Sequence, residues 1–576
     1  MTTNRAVPRP ARTGTRRWPV PFLTVVPVIV LVALTSSCAQ SEPDETQRLA
    51  GLCQVWGFLK YYHPQVAQRE GWDNALFAAI PGVKAAENKE AFNREIVALI
   101  DEAGGAPAGA SDGSALDPAL QWIDDSTLFQ DDTSARLRAI VAAHRAIPSL
   151  YVAPAWQGGA APADFSGDQG YSSAPQFPDE PTRLLALFRF WNMVQYYFPD
   201  KDVMDRDWFE VLHQLVPKFV NAADALEYHL AVAEMASSID DGHAFTDSPV
   251  LNSYLGLKRV PLDLRLVEDQ TVINFVFPRL YDGAFDLHVG DVVTEIDGVA
   301  PETRRARLRE VLPGSNVPAL ELNVHDRLQR SSADRVALTV KGKGDQTSTW
   351  SVNTVALDAP WNDYLAHHGP ATEILPGNVG YINMFWPWMQ LGDVQPAMEQ
   401  VRGTSGLILD VRHYPGGTLY AFSNYLNPQP RPFAKFTSPD FDHPGRFVWS
   451  PLFYAGPGSP NAWSGAPPAT YTYTGKVAVL VNEETLSQAE YTVMALKTAP
   501  DVVVVGSQTA GADGNVTNVG LPGEISTRFT GLGVFYPDGT PTQRVGIVPD
   551  VVVSRTVQGL REGRDEVLEA ALKILR

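Results

Sequence analysis

Two turns in the C-terminal half of the chain carry residue types that acyl transfer requires. The first follows the apolar run 406–411 and ends in Gly416-Gly417, and the second leads from the apolar run 477–482 to Ser487. A glycine pair lets the backbone point amide hydrogens at a developing oxyanion, and a serine at the start of a helix gains from the helix dipole. Each turn is also common in purely structural settings, so the chemistry depends on how the surrounding elements position both.

The elements around these turns predict a layered α/β core. Strand-like and helix-like runs alternate between residues 375 and 555. The strand-like runs are 379–384, 406–411, 477–482 and 502–506, and the helix-like runs are 419–426 and 487–499. Alternation of this kind is typical of a sheet covered by helices, with functional residues on the turns between strands and helices.

A β-rich module is predicted for residues 255–345, where strand-like runs lie at 260–267 and 271–277. The following run, 287–298, contains a Gly-Asp turn, a strand and an Asp-Gly hairpin, and it resembles the signature of PDZ modules. Such modules bind a peptide by adding it as a strand to a sheet edge, often with its C-terminal carboxylate held by backbone amides. The alternative is a β-rich spacer with one common turn.

The N-terminal half contains an internal repeat, in which residues 48–104 match residues 183–243 at an offset of 135 to 136 residues. Apolar positions at helical spacing predict a small bundle of about three helices for each copy, over 47–104 and 181–250. The matched residues are Arg48, Trp56, Tyr61, Tyr62, Pro64, Trp72 and Pro81 in the first copy and Arg183, Trp191, Tyr196, Tyr197, Pro199, Trp208 and Pro217 in the second. The segment 105–180 between the copies is rich in Ala, Gly, Pro, Ser and Asp and is interpreted as a connection.

Together these motifs look like the core of the C-terminal-processing (tail-specific) and tricorn-type serine proteases. The similarity includes the run 503–511 and the ending Gly546-Ile547-Val548-Pro549-Asp550, covers about 183–555, and keeps the family's order of motifs. The resemblance implies a multidomain α/β protein with N-terminal helical units, the PDZ-like module and a crotonase-like ββα catalytic core over 360–576. It also implies a serine-type peptidase that hydrolyses peptides or unfolded proteins.

The family's catalytic motifs fall on particular residues of this chain. Its Thr-x-Ser motif falls on Thr485-Leu486-Ser487, which makes Ser487 the expected nucleophile. Its oxyanion donors fall on the backbone amides of Gly417 and Gln488. The processing branch carries a lysine base on the turn that reads 506–514 here, and this turn has no lysine.

A serine hydroxyl is a poor nucleophile without a neighbouring base. The tricorn-type branch supplies a histidine from the region before the PDZ-like module, and that motif falls on Asp240-Asp241-Gly242-His243. His243 is therefore the expected general base, since an imidazole can accept a proton and return it near neutral pH. The chain thus resembles the Ser-His branch more than the Ser-Lys branch.

The residue that would orient the imidazole of His243 stays open. The tricorn-type branch has a glutamate a few residues before its final Gly-x-x-Pro-Asp, and that position holds Gln543 here. A glutamine can orient a neutral imidazole but stabilises an imidazolium less than a carboxylate does. Asp513, on the turn without the lysine, is the other candidate, with Asp240 and Asp241 behind it.

Two other functions fit the same residues. A non-catalytic ligand- or peptide-binding protein on this fold is favoured by the missing lysine and by Gln543, whereas the retained Ser487 and His243 count against it. An esterase or amidase would use the same two residues on a non-peptide substrate, and only a panel of substrates separates it from a peptidase.

Residues 1–37 are expected to be a secretory signal. Residues 1–17 are basic, 20–34 are almost wholly apolar, and small residues then lead to Cys38. This ending resembles a bacterial lipobox, with Thr35 where leucine is usual, so Cys38 is the expected lipidation site and 38–46 a tether. An ordinary signal peptide and a retained helix are the alternatives. The expected location is the cell envelope, on a lipid anchor.

The composition limits the partners. Asp plus Glu number 65 against 46 Lys plus Arg, for a net charge of −19, which argues against nucleic acid. The 2 cysteines exclude a disulfide scaffold and a cysteine-rich metal site, and no His-Glu-x-x-His motif is present, so neither metal nor cofactor is expected. The expected partners are a peptide or protein substrate, engaged by its C-terminus, and the membrane.

Overall fold

The computed structural model describes residues 42–106, 115–144, 148–156, 160–168, 171, 173–281, 285–366, 370–460 and 466–576. The expected signal segment and its lipidation site, Cys38, lie outside these residues. Among the residues that are described, no helix combines the length and the apolar character needed to cross a membrane.

Helices around a large aromatic core form the N-terminal region. They are α1 (Glu45–Tyr62), α2 (Pro64–Ala67), α3 (Asp73–Ala85), α4 (Lys89–Glu102), α5 (Asp131–Ala143), α6 (Glu180–Tyr197), α7 (Trp208–Asn221), α8 (Ala225–Ser237) and α9 (Pro249–Leu255), with 3₁₀ turns at Pro118–Asp124, Ser166–Asp168 and Lys201–Val203. The short strands β1 (Ala153–Pro154) and β2 (Ala163–Asp164) pair between α5 and α6. Trp56, Trp72 and Trp191 are completely buried here, so aromatic burial holds this region together.

The two repeat copies make the same local contacts. A buried arginine on the first turn of α1 or α6 donates to the last carbonyls of the following long helix and to one carbonyl before its own helix. Arg48 donates to Pro43, Val83 and Lys84, and Arg183 donates to Pro178, Phe219 and Val220. These bonds satisfy helix-end carbonyls that would otherwise lack partners. The copies pack where Gly57 meets Asn192, which occupy equivalent positions in α1 and α6.

A five-stranded antiparallel sheet follows, in the order β4-β5-β6-β8-β9. This β module comprises β3 (Lys258–Arg259), β4 (Leu262–Val267), β5 (Gln270–Val276), β6 (Val292–Ile296), α10 (Pro301–Arg309), α11 (Val317–Leu328), β7 (Arg330–Ser331), β8 (Arg335–Lys341), β9 (Thr347–Asn353) and β10 (Val355–Ala356), and α12 (Ala359–Ala366) comes next. Helix α11 packs on β4, which is an edge strand of the sheet.

The C-terminal core is built on a six-stranded sheet of order β11-β12-β13-β17-β18-β22. Its elements are β11 (Thr372–Leu375), β12 (Val379–Asn383), α13 (Val394–Val401), β13 (Gly406–Asp410), α14 (Leu419–Leu426), β14 (Arg431–Pro439), β15 (Phe447–Trp449), β16 (Phe453–Ala455), β17 (Lys476–Val481), α15 (Gln488–Leu496), β18 (Val502–Gly506), β19 (Val516–Leu521), β20 (Ile525–Thr530), β21 (Gly533–Phe535), β22 (Val551–Val552), α16 (Val557–Arg561) and α17 (Glu566–Leu575).

All neighbouring strands of this sheet are parallel except β11, which pairs antiparallel with β12. Helices α13, α14 and α15 cover one face and α17 covers the other, so the strands are apolar on both faces. The multidomain α/β prediction is confirmed. Because β13 and β17 are adjacent and parallel, the turns that follow them lie at the same edge of the sheet.

A hairpin of the core reaches back into the helical region. Strands β19 and β20 pair with each other, and four of their side chains are buried in the helical core: Val519, Leu521, Ile525 and Phe529. The backbones of Asp247 and Ser526 exchange hydrogen bonds of 2.8 and 3.0 Å. This contact fixes the last residue of β20, Thr530, close to the end of the second repeat copy.

Candidate active site

The two predicted turns meet at the carboxyl edge of the central sheet. Strand β13 ends at Asp410, which lies opposite Leu480 of β17. The hydroxyl of Thr485 donates to the carbonyl of Val411 at 2.9 Å and accepts from the amide of Asn482 at 3.1 Å. Thr485 therefore ties the serine-bearing turn to the glycine-bearing turn.

Ser487 occupies a strained position between β17 and α15. Its backbone has φ 56° and ψ −120°, a region that non-glycine residues rarely adopt. Its amide donates to the carbonyl of Ala512 at 2.9 Å, and α15 begins at the next residue. A sharp strand-to-helix turn of this kind presents a serine hydroxyl at the edge of a sheet.

The two backbone amides that the sequence predicts as oxyanion donors lie on these turns. Gly417 is exposed on the first turn, and Gln488 is the first residue of α15. Within the described parts of the chain, neither amide donates a hydrogen bond to another residue. An oxyanion hole needs donors of this kind, because it stabilises charge only where the donors are not already used.

The glycine-bearing turn is anchored by a buried ion pair. Arg412 bonds Asp410 at 2.6 Å and Asp565, the N-cap of α17, at 2.8 Å, and the hydroxyl of Tyr381 donates to Asp410 at 2.8 Å. Burial alone would raise the pKa of Asp410, but the neighbouring guanidinium holds it below its usual range. The ionised Asp410 therefore fixes the chain where it leaves β13.

His243 lies on a turn that packs against the serine-bearing turn. A Cβ placed on Gly242 would lie 3.1 Å from the Cβ of Ala512 and 3.6 Å from the side chain of Leu486. His243 itself is only 5% exposed. Among the hydrogen bonds of the described residues there is none between His243 and Ser487, as is common for catalytic pairs without bound substrate.

A threonine that the sequence analysis missed connects His243 to a carboxylate. Nδ1 of His243 lies 2.8 Å from the hydroxyl of Thr530, which lies 2.9 Å from Oδ1 of Asp241. Asp241 is completely buried and also accepts from the amides of His243 at 3.0 Å and Thr530 at 2.6 Å. Three donors thus converge on this carboxylate.

This arrangement assigns the tautomer of His243. A threonine hydroxyl has a single proton, which Thr530 donates to Asp241, so Nδ1 of His243 must be the donor to Thr530. The lone pair is then on Nε2, which is the tautomer that a general base requires. Burial is the main cause that lowers the pKa of His243 from its usual value, while Asp241 opposes this shift.

The two orienting candidates from the sequence have different surroundings. Gln543 donates to Oδ1 of Asp241 at 3.4 Å, so it contacts the carboxylate and not the imidazole. Asp513 accepts from the amide of Gly514 at 2.7 Å and makes no bond to His243 in the described structure. Of the two reserve candidates, Asp241 reaches His243 through Thr530, whereas Asp240 accepts from the amide of Asp205 at 2.7 Å.

Glu490 organises the backbone behind the nucleophile. It is fully buried and accepts from the hydroxyl of Thr509 and from the amides of Gly511 at 2.8 Å, Ala512 at 3.0 Å and Ser487 at 3.4 Å. Burial raises the pKa of Glu490 to about 7, although these donors favour the ionised form. Burial, together with the charge of Glu490, also raises the pKa of Asp513.

We expect the proton on Glu490 to make stability depend on pH. An unfolded glutamate releases its proton near pH 4.5, whereas folded Glu490 keeps its proton up to about pH 7. The free energy of unfolding should therefore fall as the pH rises from 4.5 to about 7. Thermal unfolding at several pH values should show this loss in wild type and in the exposed control Glu87→Gln, and a smaller loss in Glu490→Gln, where the raised pKa of Asp513 still contributes. Parallel curves for all three proteins would contradict the assignment.

Ala512 lies on the turn 506–514, where the family resemblance implies a lysine in the processing branch, and Gly242 of the His243 turn packs against it. We expect Ala512→Lys to lower the hydrolysis rate at least about tenfold, because an added side chain would displace Gly242. Ala512→Gly is the matched control, since it adds no volume, and should retain most of the rate. Hydrolysis by Ala512→Lys in a protein that also carries His243→Ala would show that position 512 can still hold a base.

A second charged network joins the glycine-bearing turn to the β module. His413 lies 3.1 Å from Glu484, and Arg265 of β4 donates to the same carboxylate at 2.8 Å. Burial opposes the protonation of His413, but Glu484 raises its pKa overall. These residues line a cavity of about 1100 Å³ whose wall also includes Gly242 and Leu486, the neighbours of His243 and Ser487.

Across the described residues, no cluster of His, Cys, Asp and Glu is arranged to hold a metal ion.

The region that holds both turns matches a known family. Residues 378–553 match the model of peptidase family S41. The matched segment includes Gly417, Ser487 and Asp513 and ends within β22. The match thus lies within the α/β core.

Two chlamydial proteins share a shorter stretch with this chain. An uncharacterised protein of Chlamydia muridarum (strain MoPn / Nigg) is 33% identical over 107 residues, and a protein of Chlamydia trachomatis serovar D is 29% identical over 107 residues. Each match covers 18% of this chain and 18% of the relative. The chain therefore spans less than a fifth of the length of the curated relatives it matches.

Solved structures share the fold over a larger part of the chain. Mature CPAF complexed with lactacystin superimposes with a TM-score of 0.52 at 15% identity, over 69% of this chain and 97% of that one. Mature CPAF gives a TM-score of 0.51 at 14% identity, over 69% and 96% of the two chains. At these identities the likeness concerns the fold.

Proposed function

We propose that this chain is an exported serine peptidase in which Ser487 is the nucleophile and His243 the general base. The observation that carries the proposal is the chain of contacts from His243 through Thr530 to Asp241, which leaves Nε2 unprotonated. A buried imidazole in this tautomer, on a turn that packs against the turn of a strained serine, fits acyl transfer. The two unused backbone amides fit the same chemistry. The S41 match over the same residues supports the same class.

The reaction proceeds in two steps. In the first, Oγ of Ser487 attacks the peptide carbonyl while Nε2 of His243 takes the hydroxyl proton, and the amides of Gly417 and Gln488 bind the oxyanion. The imidazolium then gives its proton to the leaving amine, the C–N bond breaks and an ester to Ser487 remains. In the second step, His243 takes a proton from water, hydroxide attacks the ester, and the proton returns to Ser487 as the acid leaves.

Asp241 and Thr530 act through His243. The charge of Asp241 stabilises the imidazolium that forms in both steps, and the hydroxyl of Thr530 transmits that stabilisation over the 3.8 Å between Asp241 and Nδ1. Gln543 donates to the same oxygen, Oδ1 of Asp241, that accepts from the hydroxyl of Thr530. The orienting group is therefore a buried aspartate two residues before the base, reached through a threonine.

The substrate in this proposal is a peptide or a loosely folded protein. Edge strand β4 contributes Asp263, Arg265, Leu266 and Val267 to the wall of the large cavity, which continues to Leu486 beside the nucleophile. A PDZ-like β module could add a peptide as a strand along β4, with its C-terminus held by the module, and lead it toward Ser487. The N-terminal signal pattern and Cys38 support export and a lipid anchor in the cell envelope.

A non-catalytic peptide-binding protein is the second candidate. It is favoured by the absence of a described hydrogen bond between Ser487 and His243 and by Gln543 in place of a glutamate. Against it stand the tautomer of His243 and the two unused amides, which binding alone does not require.

Hydrolysis of a peptide and ester panel by the fragment 39–576, which lacks the expected signal and lipidation site, tests the proposal. Wild type and Ser405→Ala, a control at the exposed amino end of β13, should cleave peptides, and Ser487→Ala should not. Cleavage of esters alone would replace the peptidase by an esterase. If wild type cleaves neither class of substrate but binds peptides, the protein is a non-catalytic peptide-binding protein.

A further inference from the structure

An aromatic segment is held beside the glycine-bearing turn. Phe385 and Pro415 form a β-bridge, and the amide of Trp386 donates to the carbonyl of Tyr414 at 3.0 Å. Phe385 is 3% exposed and packs against Trp361, with ring centroids 5.6 Å apart. The backbone at 385–386 is therefore fixed relative to the turn that ends in Gly417.

The side chain of Trp386 is exposed, although the backbone at this position is held by the contacts of Phe385 and Trp386 with the turn. Its side chain is 54% accessible. Its Cδ1 lies 3.4 Å from the position that a Cβ on Gly416 would occupy. The indole thus lies one residue from the Gly417 amide, which would bind the carbonyl of the scissile peptide. If the Gly417 amide binds the scissile carbonyl, a substrate side chain that flanks it would lie near the indole.

We propose that Trp386 is a specificity-determining residue that binds a large apolar side chain of the substrate next to the scissile bond. The proposal rests on the peptidase function and names its substrate class: peptides with an aliphatic or aromatic residue near the point of cleavage. A fixed indole offers a large apolar area at little cost in conformational entropy, since its backbone is already held.

Trp449 shows that exposure alone does not define such a site. It is also 54% exposed, but it lies on β15, packs against Phe535 with ring centroids 4.7 Å apart and has the ammonium of Lys435 4.3 Å from its ring. Its contacts are thus with its own sheet and not with the glycine-bearing turn. Trp449 is therefore a matched control of equal size and exposure.

The experiment compares kcat/KM for peptide pairs that differ only in leucine or alanine, at each position around the cleaved bond. We expect wild type to prefer leucine at least about tenfold at one position, Trp386→Ala to lose most of this preference, and Trp386→Phe to retain most of it. Trp449→Ala should keep both the wild-type rate and the preference. A thermal unfolding scan of each variant checks that it is folded.

Failure of the subsite and failure of the peptidase function give different results. If wild type cleaves peptides but Trp386→Ala keeps the leucine preference, the proposed role of Trp386 is wrong and the peptidase function stands. The same conclusion follows if Trp449→Ala loses the preference as much as Trp386→Ala does. A folded wild type that cleaves no peptide of the panel overturns the peptidase function, and the subsite as a substrate site falls with it.

Discussion

Replacing His243 by alanine should lower kcat/KM for peptide hydrolysis at least about a thousandfold. The expected loss is large because the turn 506–514 carries no lysine and Asp513 on that turn bonds the amide of Gly514. Without an acceptor for its proton, the hydroxyl of Ser487 is a poor nucleophile. Kinetics on a peptide that wild type cleaves, with thermal unfolding as a check on folding, measure the effect.

The control for this variant is His213→Ala. His213 lies on α7 in the same helical region but outside the active site, so this variant should retain nearly the full rate. A loss of less than about tenfold in His243→Ala would assign the base to another residue. An equal loss in both variants would indicate a general effect on folding.

The second large effect is expected for Asp241→Asn, which should lower kcat/KM about a hundredfold or more. The variant keeps the shape of the side chain but removes the charge that stabilises the imidazolium. It also presents an amide hydrogen where Thr530 now donates, so Nδ1 of His243 loses its fixed acceptor. Both changes raise the barrier to proton transfer from Ser487.

The pH profile distinguishes this positioning role from a structural one. Asp241 raises the pKa of His243 against the effect of burial, so removing its charge should lower that pKa further. Activity depends on the neutral imidazole, and it is lost as the pH falls through the pKa of His243. The acid limb of the profile should thus lie below the ordinary pKa of 6.5 in wild type and at still lower pH in Asp241→Asn.

Asp240→Asn is the matched control, because Asp240 is the adjacent acid and bonds Arg544 and the amide of Asp205. It should leave the acid limb in place. Thr530→Ser should retain the relay, whereas Thr530→Val should reproduce much of the loss of Asp241→Asn. An unmoved acid limb in Asp241→Asn would show that Asp241 does not act through the imidazole.

The central sheet could be predicted closely from the sequence because its strands are continuous apolar runs. The predicted run 502–506 is β18, the run 406–411 extends one residue beyond β13, and the run 477–482 is shifted by one residue from β17. Strands buried on both faces give this strong signal, since every position must be apolar. The positions of Gly417 and Ser487 follow from it, because parallel neighbours end at the same edge.

Thr530 could not be predicted in the same way. It lies at the end of β20, 287 residues from His243, in a hairpin whose buried residues pack in the helical region. No local motif marks a single threonine whose role depends on that packing. Gln543 shows a related limit of the family pattern. The pattern places Gln543 as the group that orients His243, but Gln543 bonds Asp241 instead. The contact with His243 runs from Asp241 through Thr530, and the pattern treats Asp241 only as part of the histidine turn.

The measurement that tests the Ser487–His243 mechanism most directly is labelling of the fragment 39–576 with a fluorophosphonate, followed by mass spectrometry of the modified peptide. Wild type should form a single adduct at Ser487, and both Ser487→Ala and His243→Ala should fail to label on the same time scale. Labelling of His243→Ala at the wild-type rate, or a folded wild type that does not label, would contradict a serine activated by His243.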